Sequence, residues 1–189
     1  MTETGELRPI ANKWDLHLLR VVIDDGEPER HVGDAFRWLA SFWSHAGLIQ
    51  STERTRSALR IGGHAYRVNA EIVWISDDPV YLSYILDFGI RSISESALVL
   101  HSLLPPGCRE GDYVTGELRL ESPLCVDVHP YDLNYTWRVN RVTADLANFT
   151  QHPGDRGEVQ YRNVSGTDEV KAPSYVLDCS IEENGALQI

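Results

Sequence analysis

The chain is poor in several things that would each point to a function class. Among its 189 residues only Lys13 and Lys171 are lysines, there is one methionine, and 17 Lys plus Arg face 28 Asp plus Glu, a formal net charge of −11. Affinity for phosphate backbones comes from clustered cations displacing counterions, so this balance argues against broad nucleic-acid binding. No apolar run approaches the roughly 20 residues that span a bilayer, and the opening Met-Thr-Glu-Thr-Gly-Glu has neither the basic flank nor the apolar centre of a secretory signal. The expectation is a soluble, cytoplasmic protein with no membrane partner. Cys108, Cys125 and Cys179 are odd in number and form no C-x-x-C pair, which disfavours a disulfide framework and leaves reduced, buried thiols.

What the chain does have is alternation with period two, the pattern that sends successive side chains to opposite faces of a sheet. Val68, Ala70, Ile72 and Trp74 alternate with Arg67, Asn69 and Glu71. After the turn-forming Ser76-Asp77-Asp78-Pro79, the residues Val80, Leu82, Tyr84, Leu86, Phe88 and Ile90 share one face of a second run. Residues 64–91 are therefore expected to form an antiparallel hairpin. Similar alternation over 114–121, 135–140 and 175–181, with weaker runs at 14–23 and 97–100, gives about seven strands in all. The Gly62-Gly63 pair reads as a hairpin or bulge.

One stretch follows another period. Phe36, Leu39, Ala40 and Trp43 recur at three-four spacing, with Asp34 placed to cap and Gly47 to terminate, which predicts one N-terminal α-helix near 34–46. Trp38 and Phe42 add a second apolar stripe, so that element is expected in the core or at an interface. Residues 151–172 are rich in Gly, Asp, Asn, Ser and Arg without periodicity and read as a long loop. With no repeat and no linker, the expectation is a single domain over 1–189. Its fold class is mainly β, an antiparallel barrel or sandwich.

Gly111-Asp112-Tyr113-Val114-Thr115-Gly116-Glu117-Leu118 resembles the opening strand of many small β-barrels, the OB-type ones among them, in which a glycine lets the strand bend sharply. Barrel geometry is all that this short resemblance implies. The acidic neighbours Glu110, Asp112, Glu117 and Glu121 oppose a single-strand nucleic-acid groove.

The densest polar stretch is Cys125-Val-Asp127-Val-His129-Pro-Tyr131-Asp132. On an extended segment Asp127 and His129 share a face, where a carboxylate orients an imidazole, and Asp132 and Arg138 follow as further polar partners. These four form the candidate binding set. Against an enzyme stand the lack of a G-x-S-x-G elbow, of a Walker loop and of a dinucleotide fingerprint. Against a metal stands the lack of paired knuckle ligands, although Cys108, Cys125 and His129 are all ligand types. No cofactor is expected. Arg54, Arg56 and Arg60 make the one concentrated basic stretch and read as a solvated face.

Charge is uneven along the chain: residues 1–60 carry eight basic and nine acidic side chains, whereas 121–189 carry five against eleven. The expectation is a non-catalytic, β-rich binding or interaction module. Its acidic face would meet a basic protein partner or a small ligand, since complementary charge raises association rate and sets specificity. The alternative is a small enzyme with an Asp/His acid-base site near 127–132.

Overall fold

A computed structural model describes residues 13–44, 46–77, 83–94, 104–122, 131–146 and 161–182. The chain is mainly β. Its strands are β1 (Lys13–Leu19), β2 (Ala35–Leu39), β3 (Ser41–Trp43), β4 (Leu48–Ser51), β5 (Ser57–Gly62), β6 (Ala65–Ile75), β7 (Tyr84–Asp87), β8 (Arg91–Ser94), β9 (Tyr113–Glu121), β10 (Asn134–Asp145), β11 (Tyr161–Val164) and β12 (Ser174–Ile181). One short helix, α1, spans Arg20–Asp24. The chain divides into two compact units, one of residues 39–133 and one of residues 13–38 with 134–182 among those described. Among the described residues no helix is long and apolar enough to cross a membrane.

The unit of residues 39–133 is a closed barrel of five strands, in the cyclic order β9-β3-β8-β7-β6 and back to β9, with β4 outside on β9 and β5 outside on β6. All its pairings are antiparallel except β3 with β8, which run parallel at Ser41↔Ile93 and Phe42↔Ser94. The closing strands are short, and buried serines supply the hydrogen bonds that so short a ladder lacks. Ser92 Oγ donates to Ala40 O at 2.8 Å, Ser41 Oγ to Glu121 O at 3.2 Å, and Ser44 Oγ to Glu117 O at 2.7 Å, while Ser94 Oγ accepts from Tyr84 N at 2.9 Å. Each such bond removes an unsatisfied buried carbonyl or amide. On the face of the wall that Asp87 shares, Leu39, Ile85, Ile93 and Leu133 cluster, with Val73, Trp74 and Tyr131 packed against them. Burial of each such aliphatic side chain contributes about 1.5–3 kcal/mol relative to leaving it in water.

Gly116 is where β9 changes partner. Before it β9 pairs with β4, after it with β3, and β6 runs along its other side throughout. A Cβ at Gly116 would stand 2.8 Å from Leu48 Cδ2 and 3.1 Å from the Gly47 carbonyl oxygen, so the bare Cα is what lets β4 lie this close. Gly116 is needed here for the close approach of β4. Gly116→Ala is expected to destabilise by about 1–2 kcal/mol through overpacking, read as a lower urea midpoint at unchanged slope.

The unit of residues 13–38 and 134–182 is an antiparallel sheet in the order β11-β10-β12-β1, with β2 also pairing β10. One face is apolar: Trp14, Leu16, Leu18, Tyr135, Trp137, Val139, Val142, Ala144, Tyr175, Leu177 and Cys179 are all buried. Cross-strand neighbours on the other face are polar, among them Asp15, Asp178 and Arg141, which stand in one row.

Three expectations need correction. The helix near 34–46 is two strands, β2 and β3, separated at Ala40. Phe36, Trp38, Phe42 and Trp43 place four aromatics in eight residues, a composition that favours a pleated surface, and Phe36 meets Trp38 edge to face at 5.8 Å. Asp34 closes a turn instead of capping a helix, accepting His31 N at 2.8 Å. The second arm of the hairpin over 64–91 is likewise two strands. Gly89 takes φ 117° and turns the chain between β7 and β8, a conformation that side chains with a Cβ rarely adopt. Finally, the stretch assigned to a loop at 151–172 contains β11 at Tyr161–Val164. Residues 151–160, the expected strand at 97–100, and Val80 to Leu82 lie outside the described residues. The expected strand over 14–23 ends at Leu19, where Arg20–Asp24 turn into α1; the remaining strands stand where alternation put them, and twelve are described in place of about seven.

Candidate functional site

Of the four residues singled out from sequence, Asp127 and His129 lie outside the described residues, as does Cys125. Asp132 is exposed. Arg138 is committed to its own unit: Nε donates to Glu182 Oε1 at 2.6 Å, Nη2 binds the same oxygen, and Nη1 donates to the Gly33 carbonyl at 2.9 Å. Its guanidinium is thus bonded at all three nitrogens within its own unit. Among the described residues no group of three or more His, Cys, Asp or Glu side chains is placed to hold a metal ion.

Two other polar constellations emerge, one in each unit. In the sheet of residues 13–38 and 134–182, the 24–34 and 165–172 connections are sewn together. Val32 N donates to Ser165 O at 2.9 Å, Thr167 N to Arg30 O at 2.9 Å, and Arg30 N to Thr167 Oγ1 at 2.9 Å. Thr167 is fully buried, and its hydroxyl also meets Glu29 Oε2. Beneath it the buried Tyr175 hydroxyl lies 2.7 Å from both the Thr167 and Val170 carbonyls and accepts from Ala172 N at 3.1 Å. Arg20 Nη1 reaches the same hydroxyl at 3.4 Å. A loop whose backbone groups are satisfied by a buried side chain keeps one conformation.

Seven carboxylates lie along the two connections that this clamp joins. Asp24, Asp25, Glu27, Glu29 and Asp34 come from one connection, Asp168 and Glu169 from the other. Glu29 pairs with Arg20 at 3.3 Å and Glu27 with Arg30 at 2.9 Å, while the half-exposed His31 lies with Nε2 2.9 Å from Asp168 Oδ1 and Nδ1 3.5 Å from Asp34 Oδ2. Gly166 leaves the space that the His31 ring fills, since a Cβ there would stand 2.2 Å from His31 Cδ2. Glu169 accepts from the Ser165 hydroxyl at 2.6 Å and the Ser165 amide at 2.7 Å. The hydroxyl first, and then the amide, hold its carboxyl below the usual carboxylate range. A depressed carboxylate keeps its contribution at all pH above its ordinary range and gives it up as pH falls through its own lowered pKa. In a proton NMR titration the Ser165 amide should therefore shift only below the ordinary Glu range. A shift centred at the ordinary value would contradict the assigned bond.

In the barrel unit, Tyr113, Glu71, Asp87 and Arg91 stand opposite one another across β9, β6, β7 and β8. Asp87 is the centre: buried, it accepts Arg56 Nη1 at 2.6 Å and Gly89 N at 3.1 Å, with Arg91 Nε 3.6 Å away. Arg56 is held above its ordinary pKa mainly by Asp87. Tyr113 donates to Glu71 at 3.4 Å, and burial followed by the Glu71 charge pushes its hydroxyl up. Asn69 Nδ2 binds the Glu53 and Thr55 carbonyls at 3.1 and 2.7 Å, which positions the arginine-bearing 53–56 segment. Arg54 lies over the Tyr113 ring and Arg91 over Tyr131. Arg54, Arg56 and Arg60 are thus braced by contacts, not merely solvated. Their carboxylate and arginine partners cancel locally, and the row works as a brace for the barrel.

Cys179 is fully buried on β12, and burial, then the charges of Asp178 and Asp15, push its thiol far up, while Cys108 is half-buried. A thiol so placed reacts only when the sheet opens. In a Cys108→Ser/Cys125→Ser background, Cys179 should label with a thiol reagent at the unfolding rate; labelling in seconds under native conditions would contradict its placement.

No family model, no curated protein and no solved structure matches this chain. The functional reading therefore rests on the residues themselves. Sequence reasoning missed Thr167, Tyr175 and Arg20 because the bonds that join them to the other connection span 137 and 155 positions, and those within 167–175 follow no recognised turn pattern. The one local signal was the acidic run Asp24-Asp25-Gly26-Glu27.

Proposed function

We propose that the protein is a non-catalytic binding module that docks a basic protein partner on the acidic end built by residues 24–34 and 165–169. The observation that carries this reading is the clamp of Thr167 and Tyr175. It joins two carboxylate-bearing connections from distant parts of the chain through their backbones, so less ordering entropy would be lost when a partner binds. The uneven charge of the C-terminal third supports it, joined here by carboxylates from a stretch that is nearly balanced in sequence. Carboxylates so presented steer a cationic partner and select among partners by pattern. A small ligand in place of a protein, and an acid-base site near 127–132, draw no support from Arg138, which is tied to Glu182.

A fluorescein-labelled Arg-Gly repeat peptide of twelve residues serves as the probe. Binding by fluorescence anisotropy should weaken steeply with added salt. It should weaken at least tenfold in Asp24→Asn/Asp25→Asn/Asp168→Asn, whereas neutralising the barrel's Asp77 and Asp112 should change it little. Equal loss in both sets would reduce the effect to net charge and sink the reading.

A further inference from the structure

The connection between β4 and β5 is a strap laid across the barrel unit. In the strand order β4-β9-β6-β5, residues 52–56 have to cross both β9 and β6 to reach β5. They cross on the face that carries Tyr113, Glu71 and Asp87. Asn69, two positions before Glu71 on β6, holds them there, its Nδ2 donating to the Glu53 and Thr55 carbonyls at 3.1 and 2.7 Å. Thr52, Glu53, Arg54, Thr55 and Arg56 are all exposed, and none is apolar. Without a buried apolar side chain of its own, such a segment has low local stability.

The surface beneath keeps its partners without the strap. The Asp87 side chain is 10% exposed against 49% for Arg56, and besides Arg56 at 2.6 Å it has Gly89 N at 3.1 Å and Arg91 at 3.6 Å. Tyr113, bonded to Glu71, presents its ring to Arg54, which also donates to the Gly111 carbonyl at 2.8 Å. This face thus receives an extended segment in a defined way. Asp87 takes one guanidinium, Tyr113 with the Gly111 carbonyl takes a second two positions earlier, and the Asn69 amide takes the carbonyl preceding each. Asn69 is buried, and its Oδ1 accepts no hydrogen bond from the described residues. The strap therefore leaves one acceptor of this surface unmet, which carries a cost.

We propose that this face is a binding site for an extended Arg-x-Arg segment of a basic partner protein, and that residues 52–56 occupy it as an intramolecular stand-in. The partner's segment displaces the strap, pairs with Asp87, stacks on Tyr113 and gives its carbonyls to Asn69. Tethered at both ends, the strap competes at an effective concentration of about millimolar, so the site stays closed to dilute peptides until the strap is weakened. The site lies in the barrel unit and does not depend on the acidic end of residues 24–34 and 165–169.

The test compares the full chain with its Arg54→Ala/Arg56→Ala variant, using a fluorescein-labelled peptide of the strap's own sequence, Thr-Glu-Arg-Thr-Arg-Ser. Fluorescence anisotropy should show binding to the variant at least tenfold tighter than to wild type, and the bound peptide should shift the Asn69 side-chain amide resonances. Citrulline in place of the peptide's second arginine should weaken binding at least tenfold. Circular dichroism should show the variant folded, since Arg91 remains beside Asp87; an unfolded variant would make the strap a structural tie and overturn the proposal. Equal affinity for the two chains, or for the citrulline peptide, would place the peptide elsewhere and overturn it as well. So would the lack of saturable binding to the folded variant.

Discussion

Trp137→Ala is expected to lower the unfolding free energy by about 3–5 kcal/mol, the range for losing a fully buried large aromatic. Trp137 is 0% exposed in the first half of β10, its ring tilted against Tyr135 with centroids 5.5 Å apart, and its Nε1 donates to the Trp38 carbonyl at 2.8 Å. The residue therefore both fills the apolar face of its sheet and secures β2, the strand bearing Trp38. Trp137→Phe separates the two roles. It keeps most of the volume but leaves the Trp38 carbonyl without its donor, a cost of about 1–2 kcal/mol. Urea unfolding followed by far-ultraviolet circular dichroism should rank wild type, Trp137→Phe and Trp137→Ala in that order. Typical domains have only about 5–15 kcal/mol in all, so the alanine variant should be visibly compromised at 37 °C. Near-equal midpoints for all three would contradict the placement of Trp137 in the core.

Tyr175→Phe should cost about 2–3 kcal/mol and should do so locally. The hydroxyl it removes serves the Thr167 and Val170 carbonyls and the Ala172 amide, and Tyr175 itself is fully buried. Its loss leaves buried backbone groups without partners, each a penalty of about 1–3 kcal/mol before relaxation. Because the ring is retained, the sheet should persist while the 165–172 connection loosens. Amide exchange should rise at residues 165–172 and at 30–32, which are bonded to them, and should stay unchanged in β10 and β12. Uniform acceleration across the sheet would mean that the hydroxyl supports the whole fold and not the loop clamp.

These two residues also show how far the sequence could be read. Trp137 and Tyr175 both sit in alternating runs, and the pattern correctly put them on the buried face, because period two maps directly onto the two sides of a sheet. Their polar atoms were not legible. Trp38 and Thr167, which meet Nε1 and the hydroxyl, are 99 and 8 residues away in the chain, and no local rule connects them. The stretch 34–46 failed for another reason. Aromatics at 36, 38, 42 and 43 satisfy a helical stripe and two short strands almost equally well. Ladders with β10 for β2, and with β8 and β9 for β3, decided between them. Tertiary pairing routinely overrides short-range periodicity in this way. The glycine at 116 was read as a bend, and the room it leaves for β4 required knowing that Leu48 lies alongside. The parallel closure of β3 on β8 could not be foreseen, since each strand is too short to show a period. Arg138 entered the candidate set as a polar side chain, and its bond to Glu182, 44 residues further on, was not legible locally.

The candidate site had the same fate. Net acidity was evident in composition, yet its organisation depends on Thr167 joining residue 30 to residue 167, a contact across 137 positions. In the function proposed, the basic partner docks on this joined end. Amide hydrogen exchange with and without the Arg-Gly repeat peptide reads the docking site residue by residue. Protection confined to residues 24–34 and 165–172, and absent from Tyr175→Phe, is the predicted result. Protection spread evenly over both units, or unchanged exchange in those two connections while the peptide is bound, would contradict it.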